Sequence, residues 1–245
     1  MRGQEGPLSQ LLLLRRAAHP TWEARYHLNQ LQALEMGLNR NRFSLRGFKR
    51  IFEFGCGHGR LTRLLCDLAP EAEIHGCDVS RREVARCAAR CPRGQFIVNE
   101  IMPPLPYPEG RFDFIYSYSV FTHLSEENHR RWLKDLTRLL QPGGVMAHST
   151  HSVRALEQME FFSPERLAKY SLGGTAREFR ATGKDYHYAV DHPELPEYGL
   201  AIISRRYIEQ QWPGITGLKI LDYLEDCFQA FPEGCQDLVI LKKEI

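Results

Sequence analysis

Three glycines alternate with other residues in the segment EFGCGHG at residues 53–59, directly after an apolar run. Glycine has no Cβ, so such a segment can turn tightly and lets a ligand approach its backbone closely. If a helix begins after the turn, its first N–H groups can bind an anion such as a carboxylate. The segment predicts a small-molecule binding turn, although a glycine turn alone also occurs for purely structural reasons.

Two other glycine-rich binding turns fit this segment less well. A nicotinamide-binding turn needs glycine at its first, third and sixth positions, and the sixth position counted from Gly55 is Arg60. The chain also has no Tyr-x-x-x-Lys pair, which the usual short-chain dehydrogenases need. A Walker-type phosphate loop is excluded because no Gly-Lys-Ser/Thr follows the glycines.

Apolar segments of strand length alternate with helical patterns on both sides of the turn. The helix after the fourth segment spans residues 125–140, opens with Ser-Glu-Glu, which is an N-terminal helix signature, and ends at Pro142. Strands that alternate with helices at this spacing form a parallel sheet with right-handed crossovers. The five predicted strands are Lys49–Phe54, Glu73–Cys77, Gln95–Val98, Phe112–Tyr116 and Val145–Ser149.

The two ends of the chain depart from this alternation. Residues 1–45 are expected to form an N-terminal arm and a helix, the helix running from a cap at Thr21 to about Leu38. Residues 46–245 are expected to form the main domain, and 152–215 to form an insertion that covers a substrate. The insertion contains a predicted short helix near residues 164–170 and a helix that begins at Ser204. Two closing strands are predicted at 218–223 and 236–242.

Residues 51–60, IFEFGCGHGR, resemble the first motif of the class I S-adenosylmethionine-dependent methyltransferases, acidic-x-Gly-x-Gly-x-Gly. The segment HGCDVS around Asp78, the segment FDFIYSYSVFTHL at 112–124 and the segment LTRLLQPGGV at 136–145 resemble later motifs of that family in order and spacing. The resemblance covers residues 48–150. It implies an α/β, Rossmann-like fold whose seven-stranded sheet is mostly parallel with the last strand antiparallel. Helices lie on both faces, and a lid follows strand five.

The same resemblance implies S-adenosylmethionine as the cofactor and assigns residues to it. Asp78, at the end of the second strand, accepts hydrogen bonds from the ribose hydroxyls, and Asn99 meets the adenine edge. At residue 99 the family often has aspartate, and asparagine changes which adenine atom the side chain can serve. The full set of expected cofactor-binding residues is Glu53, Phe54, Gly55, Cys56, Gly57, Asp78, Val79, Asn99, Ser117 and Tyr118.

Histidines near the expected carboxyl edge of the sheet are candidates for a general base, which a hydroxyl acceptor needs. His151 follows the fifth strand and is the first candidate; His123, in FTHL, is the second, with helix capping as its structural alternative. His151 could equally be a hydrogen-bonded histidine that shapes its loop, and for His123 the capping role is favoured over catalysis. Tyr186 and His187 lie in the expected lid and are candidates for acceptor binding.

The remaining features of the sequence restrict the chemical class of the methyl acceptor only in part. The turn after strand four reads Ser117-Tyr118-Ser119, without the Asn/Asp-Pro-Pro-aromatic motif used on adenine or glutamine amines, and the basic residues form no stripe, which disfavours nucleic acid. We expect O-methylation of a small hydroxylated metabolite, sugar or glycan. N- or S-methylation and a non-catalytic cofactor-binding partner subunit stay open, as does the oligomeric state.

Composition points to an ordinary intracellular protein. The net charge is +2, and the longest apolar run, at 11–14, is too short for a membrane span or a signal peptide. A cytoplasmic location is expected. The seven cysteines are therefore expected to be reduced. Their spacing matches no structural metal motif, and no metal site is predicted.

Overall fold

A computed structural model describes residues 22–162, 179–181, 183–192, 194–230 and 234–245 of the chain. The predicted arm before residue 22 and the predicted helix near 164–170 lie outside these residues. The helices are α1 (Trp22–Arg40), α2 (Arg60–Leu68), α3 (Arg81–Arg90), α4 (Glu126–Leu139), α5 (Val153–Phe162) and α6 (Arg205–Thr216). The first five strands are β1 (Arg50–Phe54), β2 (Glu73–Asp78), β3 (Gln95–Val98), β4 (Phe112–Ser117) and β5 (Leu140–Thr150). The last four strands are β6 (Tyr186–His192), β7 (Leu195–Ile203), β8 (Lys219–Ala230) and β9 (Gly234–Lys242).

Seven strands form one sheet in the order β3-β2-β1-β4-β5-β9-β8. β1 to β5 are parallel, and β9 runs antiparallel to both β5 and β8. The predicted mostly parallel sheet with an antiparallel last strand is therefore confirmed. The strand order reverses between β1 and β4, and in such sheets a ligand crevice lies at this switch point, beyond the carboxyl ends of the strands.

Each face of the sheet is covered by helices because alternate residues of the strands point to opposite faces. Ile51 and Phe114 pack in one cluster with α1 and α2, and Phe52 and Ile115 pack in another with α4 and α6. α1 thus shares a core with the domain that we expected to begin at residue 46. α6, inside the expected lid, also covers the sheet, since Trp212 is fully buried in the second cluster.

Serine side chains fix where several helices begin. Ser80, Ser125 and Ser204 each precede a helix and accept a hydrogen bond from the N–H three residues later. This satisfies one of the free donors at each helix start. The sequence did not predict α5 or the separate two-stranded sheet of β6 and β7. In the described part of the chain, no helix is long and apolar enough to cross a membrane.

The expectation that all cysteines are reduced is wrong for one pair. Cys66, in the last turn of α2, forms a disulfide with Cys91, which caps the end of α3. The parallel crossovers bring α2 and α3 side by side, and the Cα atoms of the two residues are 6.6 Å apart. Sequence spacing carries no information on this proximity, because the order of the strands in the sheet places the two helices next to each other. Cys56, Cys77 and Cys87 are free and buried.

Candidate functional site

The glycine turn follows β1 and adopts backbone conformations that require glycine. Gly55, Gly57 and Gly59 have φ angles of 77°, 49° and 81°, in the left-handed region. A Cβ on Gly55 would lie 2.3 Å from Val120 Cγ2, so no other residue fits at that position without a shift. The N–H groups of residues 55 and 56 both donate to the Cys77 carbonyl, which ties the turn to the end of β2.

Asp78 holds the other side of the turn. One of its carboxylate oxygens accepts a hydrogen bond from the Gly57 N–H at 2.9 Å, and the other accepts from the Ser80 N–H at 2.9 Å. An ionised carboxylate has about four lone-pair positions, so both oxygens keep the capacity to accept a further hydrogen bond. The carboxylate also lines the adjoining cavity. It can therefore hold the turn and a ligand at the same time.

The cavity, of about 540 Å³, lies at the carboxyl ends of β1 to β4. This volume is within the usual range for small-molecule sites. Its wall combines apolar and aromatic side chains with a few polar groups. The residues that line it are Phe54, Gly55, Arg60, Asp78, Val79, Asn99, Ile101, Tyr118, Ser119, Val120, His123, Leu124, Trp132, Glu197 and Tyr198.

Asn99 presents a hydrogen-bond acceptor at this cavity. Its Nδ2 group donates to the Glu100 carbonyl at 2.7 Å, which sets the orientation of the amide. The Oδ1 atom is buried and has no hydrogen-bond partner among the residues that the structure describes. A buried carbonyl oxygen without a partner is costly, so a donor on a ligand would satisfy it. With this orientation, asparagine offers the same acceptor function as the aspartate that is frequent at this family position.

Glu53 lies behind the turn rather than in the cavity wall. Its side chain is buried and accepts a hydrogen bond from the Thr62 hydroxyl at the start of α2. Burial raises the pKa of Glu53 to about 7, and the Thr62 hydrogen bond offsets part of this shift. The acidic residue of the motif therefore links β1 to α2 from inside the protein.

His123 reaches the cavity from the loop between β4 and α4. Its Nδ1–H donates to the Gly199 carbonyl at 2.7 Å, which leaves Nε2 as the basic nitrogen of the neutral ring. The ring is stacked on Tyr198, with centroids 4.7 Å apart and planes 11° apart. β7 thus fixes both the tautomer and the orientation of His123.

The other candidate residues have different surroundings. His151 is buried, it is not part of the cavity wall, and its carbonyl accepts from the Ile203 N–H. The Tyr186 hydroxyl donates to the Leu124 carbonyl, outside the cavity, and the His187 ring packs against Phe179. The structure therefore brings only His123 of these four candidates to the cavity.

The expected cofactor residues separate into two groups. Those in the cavity wall are Phe54, Gly55, Asp78, Val79, Asn99 and Tyr118. Those that are not part of the wall are Glu53, Cys56, Gly57 and Ser117, of which Ser117 forms a hydrogen bond with the buried His148. The residues that the sequence did not predict include Arg60, Glu197 and Tyr198. Arg60 directly follows the glycine motif, so the sequence could have indicated it. Glu197 and Tyr198 reach the site only through the tertiary contacts of β7, which the sequence does not reveal.

β7 carries Glu197 and Tyr198 to the cavity through main-chain hydrogen bonds. The Gly199 N–H donates to the His123 carbonyl at 3.0 Å, and the Ala201 N–H donates to the Thr122 carbonyl at 2.8 Å. A Cβ on Gly199 would lie 2.1 Å from the Ala189 carbonyl oxygen of β6, so β6 and β7 can approach this closely only with glycine at residue 199. Of the described residues in the expected lid, only Glu197 and Tyr198 contribute to the wall.

The family model for a methyltransferase domain matches residues 51–144. Trans-aconitate 2-methyltransferase from Rhodopseudomonas palustris (strain BisB18) is 33% identical over 99 residues, which are 40% of this chain and 37% of that protein. tRNA (carboxymethyluridine(34)-5-O)-methyltransferase from Arabidopsis thaliana is 34% identical over 97 residues, which are 39% of this chain and 22% of that protein. The chain thus covers well under half the length of either relative.

Among solved structures, a similar fold occurs in 1,6-didemethyltoxoflavin-N1-methyltransferase from Burkholderia thailandensis. Its TM-score is 0.58 at 15% identity, and the superposition covers 100% of this chain and 93% of that one. This similarity concerns the fold. The named acceptors of these relatives differ from one another, so the comparisons leave the acceptor of this chain undecided.

Proposed function

We propose that this chain, which belongs to the class I S-adenosylmethionine-dependent methyltransferase family, transfers the methyl group of S-adenosylmethionine to a hydroxyl group of a small metabolite, sugar or glycan. The observation that carries the proposal is the cavity at the switch point of the sheet, where a carboxylate and an unpartnered amide oxygen stand on neighbouring strands.

The residues of the cavity fit this cofactor. Asp78 would accept hydrogen bonds from the ribose, and the buried Asn99 Oδ1 would accept one from the exocyclic amine of adenine. Val79 and Ile101, which are exposed apolar side chains in the cavity wall, would flank the adenine ring. Gly55, with no Cβ, leaves the turn open to close approach.

The cofactor supplies an electrophilic methyl group on a sulfonium, and the chain supplies position and a base. Holding two reactants in attack geometry can contribute roughly 7–11 kcal/mol. His123 Nε2 would take the proton of the acceptor hydroxyl as the oxygen–methyl bond forms and the sulfur–methyl bond breaks. The hydrogen bond to the Gly199 carbonyl and the stacking on Tyr198 hold the His123 ring in place and support this role.

Two other functions remain as alternatives to O-methylation. An amine or thiolate acceptor needs no base, so N- or S-methylation would make His123 dispensable. A non-catalytic partner subunit would bind the cofactor without turnover. A small acceptor rather than nucleic acid, a cytoplasmic location, and a lid over residues 152–215 stay predictions from the sequence.

The first experiment is a calorimetric titration with S-adenosylhomocysteine, with NAD⁺ as the comparison ligand. Binding of NAD⁺ but not of S-adenosylhomocysteine would refute the proposal. The second is a product-mass screen of the purified protein with S-adenosylmethionine and pooled metabolites, which detects a gain of one CH₂. Cofactor binding without any product would favour the partner-subunit alternative.

A pair of variants then tests the base. His123→Gln should lower kcat by about 10²–10⁴-fold, with S-adenosylhomocysteine affinity unchanged. His151→Gln is the competing variant, because the sequence favoured that residue. A larger loss of kcat in His151→Gln than in His123→Gln would return the role of base to His151, and no loss in either would favour an amine or thiolate acceptor.

A further inference from the structure

The charges in the cavity wall are unevenly distributed. Asp78 holds the glycine turn, and Arg60 is the first residue of α2, beside that turn. At the other end of the cavity, β7 contributes Glu197, whose carboxylate has no ion pair or hydrogen bond with any described residue. An unpaired carboxylate in a concave wall favours ligands that bring a donor or a positive charge.

An aromatic surface accompanies this carboxylate. Tyr198 follows Glu197 and is 48% exposed, which is unusual for a large apolar side chain. Its ring is stacked on His123, and the residue is part of the cavity wall. Aromatic faces bind cations, and they pack against the C–H face of a sugar ring.

We propose that Glu197 and Tyr198 form the acceptor-selecting wall of the site, which admits neutral hydroxylated or cationic acceptors and excludes polycarboxylates. This proposal rests on the proposed methyltransferase function and specifies the class of its acceptor. A carboxylate-rich acceptor would bring like charges next to Glu197, whereas Arg60, the cationic side chain of the wall, lies beside the glycine turn. The acceptor then differs in charge from trans-aconitate, the acceptor named for several relatives.

In this proposal the acceptor lies between the wall and His123. Glu197 and Tyr198 are consecutive residues of β7, Tyr198 is stacked on His123 of the loop between β4 and α4, and all three residues line the cavity. A hydrogen bond between an acceptor hydroxyl and a carboxylate is charge-assisted and therefore directional. Glu197 would orient the acceptor, and His123 would receive its proton.

The test uses a bacterial metabolite extract separated by ion exchange into anionic, neutral and cationic fractions, with trans-aconitate as a defined anionic probe. Each is incubated with the protein and S-adenosylmethionine, and products one CH₂ heavier are counted by mass spectrometry. We expect products from the neutral or cationic fraction and none from trans-aconitate. Product from only the anionic fraction, or efficient methylation of trans-aconitate, would overturn the proposal.

Variants of the wall give a second readout. Glu197→Gln should raise KM for the identified acceptor by about tenfold or more, since it removes a charge-assisted hydrogen bond, with the Kd of S-adenosylhomocysteine unchanged. Glu194→Gln is the matched control, because Glu194 is an exposed carboxylate of the same hairpin outside the cavity wall. An unchanged KM in Glu197→Gln would overturn the proposal.

The two proposals fail in different ways. A protein that binds S-adenosylhomocysteine but methylates neither the neutral nor the cationic fraction overturns the acceptor class and leaves the cofactor site standing. A protein that does not bind S-adenosylhomocysteine overturns the proposed function, and the acceptor class with it.

Discussion

Replacing Asp78 by asparagine tests the double task of its carboxylate. The two carboxylate oxygens accept from the N–H groups of Gly57 and Ser80, each at 2.9 Å. In Asp78→Asn the amide NH₂ must face one of these N–H groups, so one hydrogen bond to a charged acceptor is lost. Such a bond contributes about 1.5–3 kcal/mol, and we expect a stability loss of that size.

The same substitution should weaken the binding of the cofactor. A ribose hydroxyl that donates to a carboxylate makes a bond of similar strength, so its loss should raise the Kd of S-adenosylhomocysteine by about 10–100-fold. Isothermal titration calorimetry measures this Kd, and urea denaturation measures the free energy of unfolding. A change in the Kd reports the contact with the ligand, and a change in the free energy of unfolding reports damage to the glycine turn.

Asp113→Asn is the matched control. The Asp113 carboxylate, near the start of β4, accepts from the N–H groups of Lys49 at 2.7 Å and Arg50 at 2.8 Å. Like Asp78, it accepts two main-chain hydrogen bonds, but it lies near the amino end of its strand and is not part of the cavity wall. We expect a similar loss of stability and an unchanged Kd. Equal weakening of S-adenosylhomocysteine in both variants, or an unchanged Kd in Asp78→Asn, would refute the assignment of Asp78 to the ribose.

Three further predictions concern the turn, the core and the disulfide. Gly55→Ala should lower both stability and S-adenosylhomocysteine affinity far more than Gly57→Ala, because a Cβ at residue 55 would lie 2.3 Å from Val120 Cγ2 and one at residue 57 would have no atom within 4 Å. Equal losses in denaturation and titration experiments would contradict this steric account. Burial lowers the pKa values of His129 and His148 from 6.5 to about 3, so the unfolded chain binds protons first as the pH falls. The thermal midpoint should therefore drop between about pH 6.5 and pH 3, with a loss of the order of a few kcal/mol, and a flat profile would count against buried neutral rings. Reducing the disulfide between α2 and α3 should cost about 3 kcal/mol of unfolding free energy, measured with and without reductant. A variant with both cysteines replaced by serine should not respond to reductant.

The parallel part of the fold could be predicted because its signals are local. Each strand is an apolar run closed by glycine or polar residues, and serine caps mark the starts of three helices. β3 has the predicted bounds, Gln95–Val98, and the last strand, Gly234–Lys242, contains the predicted segment 236–242. These features depend on neighbours in the chain, which the sequence displays directly.

The acceptor side of the site depends on contacts between distant segments. The direction of a side chain just after a strand depends on what packs over it, and His151 lies under β7, whose Ile203 N–H meets its carbonyl. His123 is only the second candidate in the sequence because its position favours a capping role, yet Gly199, far along the chain, accepts a hydrogen bond from its ring at the cavity. No local sequence pattern around Glu197 indicates that it lines the cavity.

β7 attaches to the loops around the cavity through main-chain groups, with the N–H groups of residues 199, 201 and 203 donating to the carbonyls of residues 123, 122 and 151. Hydrogen bonds between main-chain groups do not depend on the identity of most side chains of the hairpin. The two residues that we propose to face the acceptor can therefore be replaced together, while the part of the cavity around Asp78 and Asn99 is left unchanged. Grafting a hairpin of equal length with other residues at 197 and 198 is thus a direct route to redesigning which molecule is methylated.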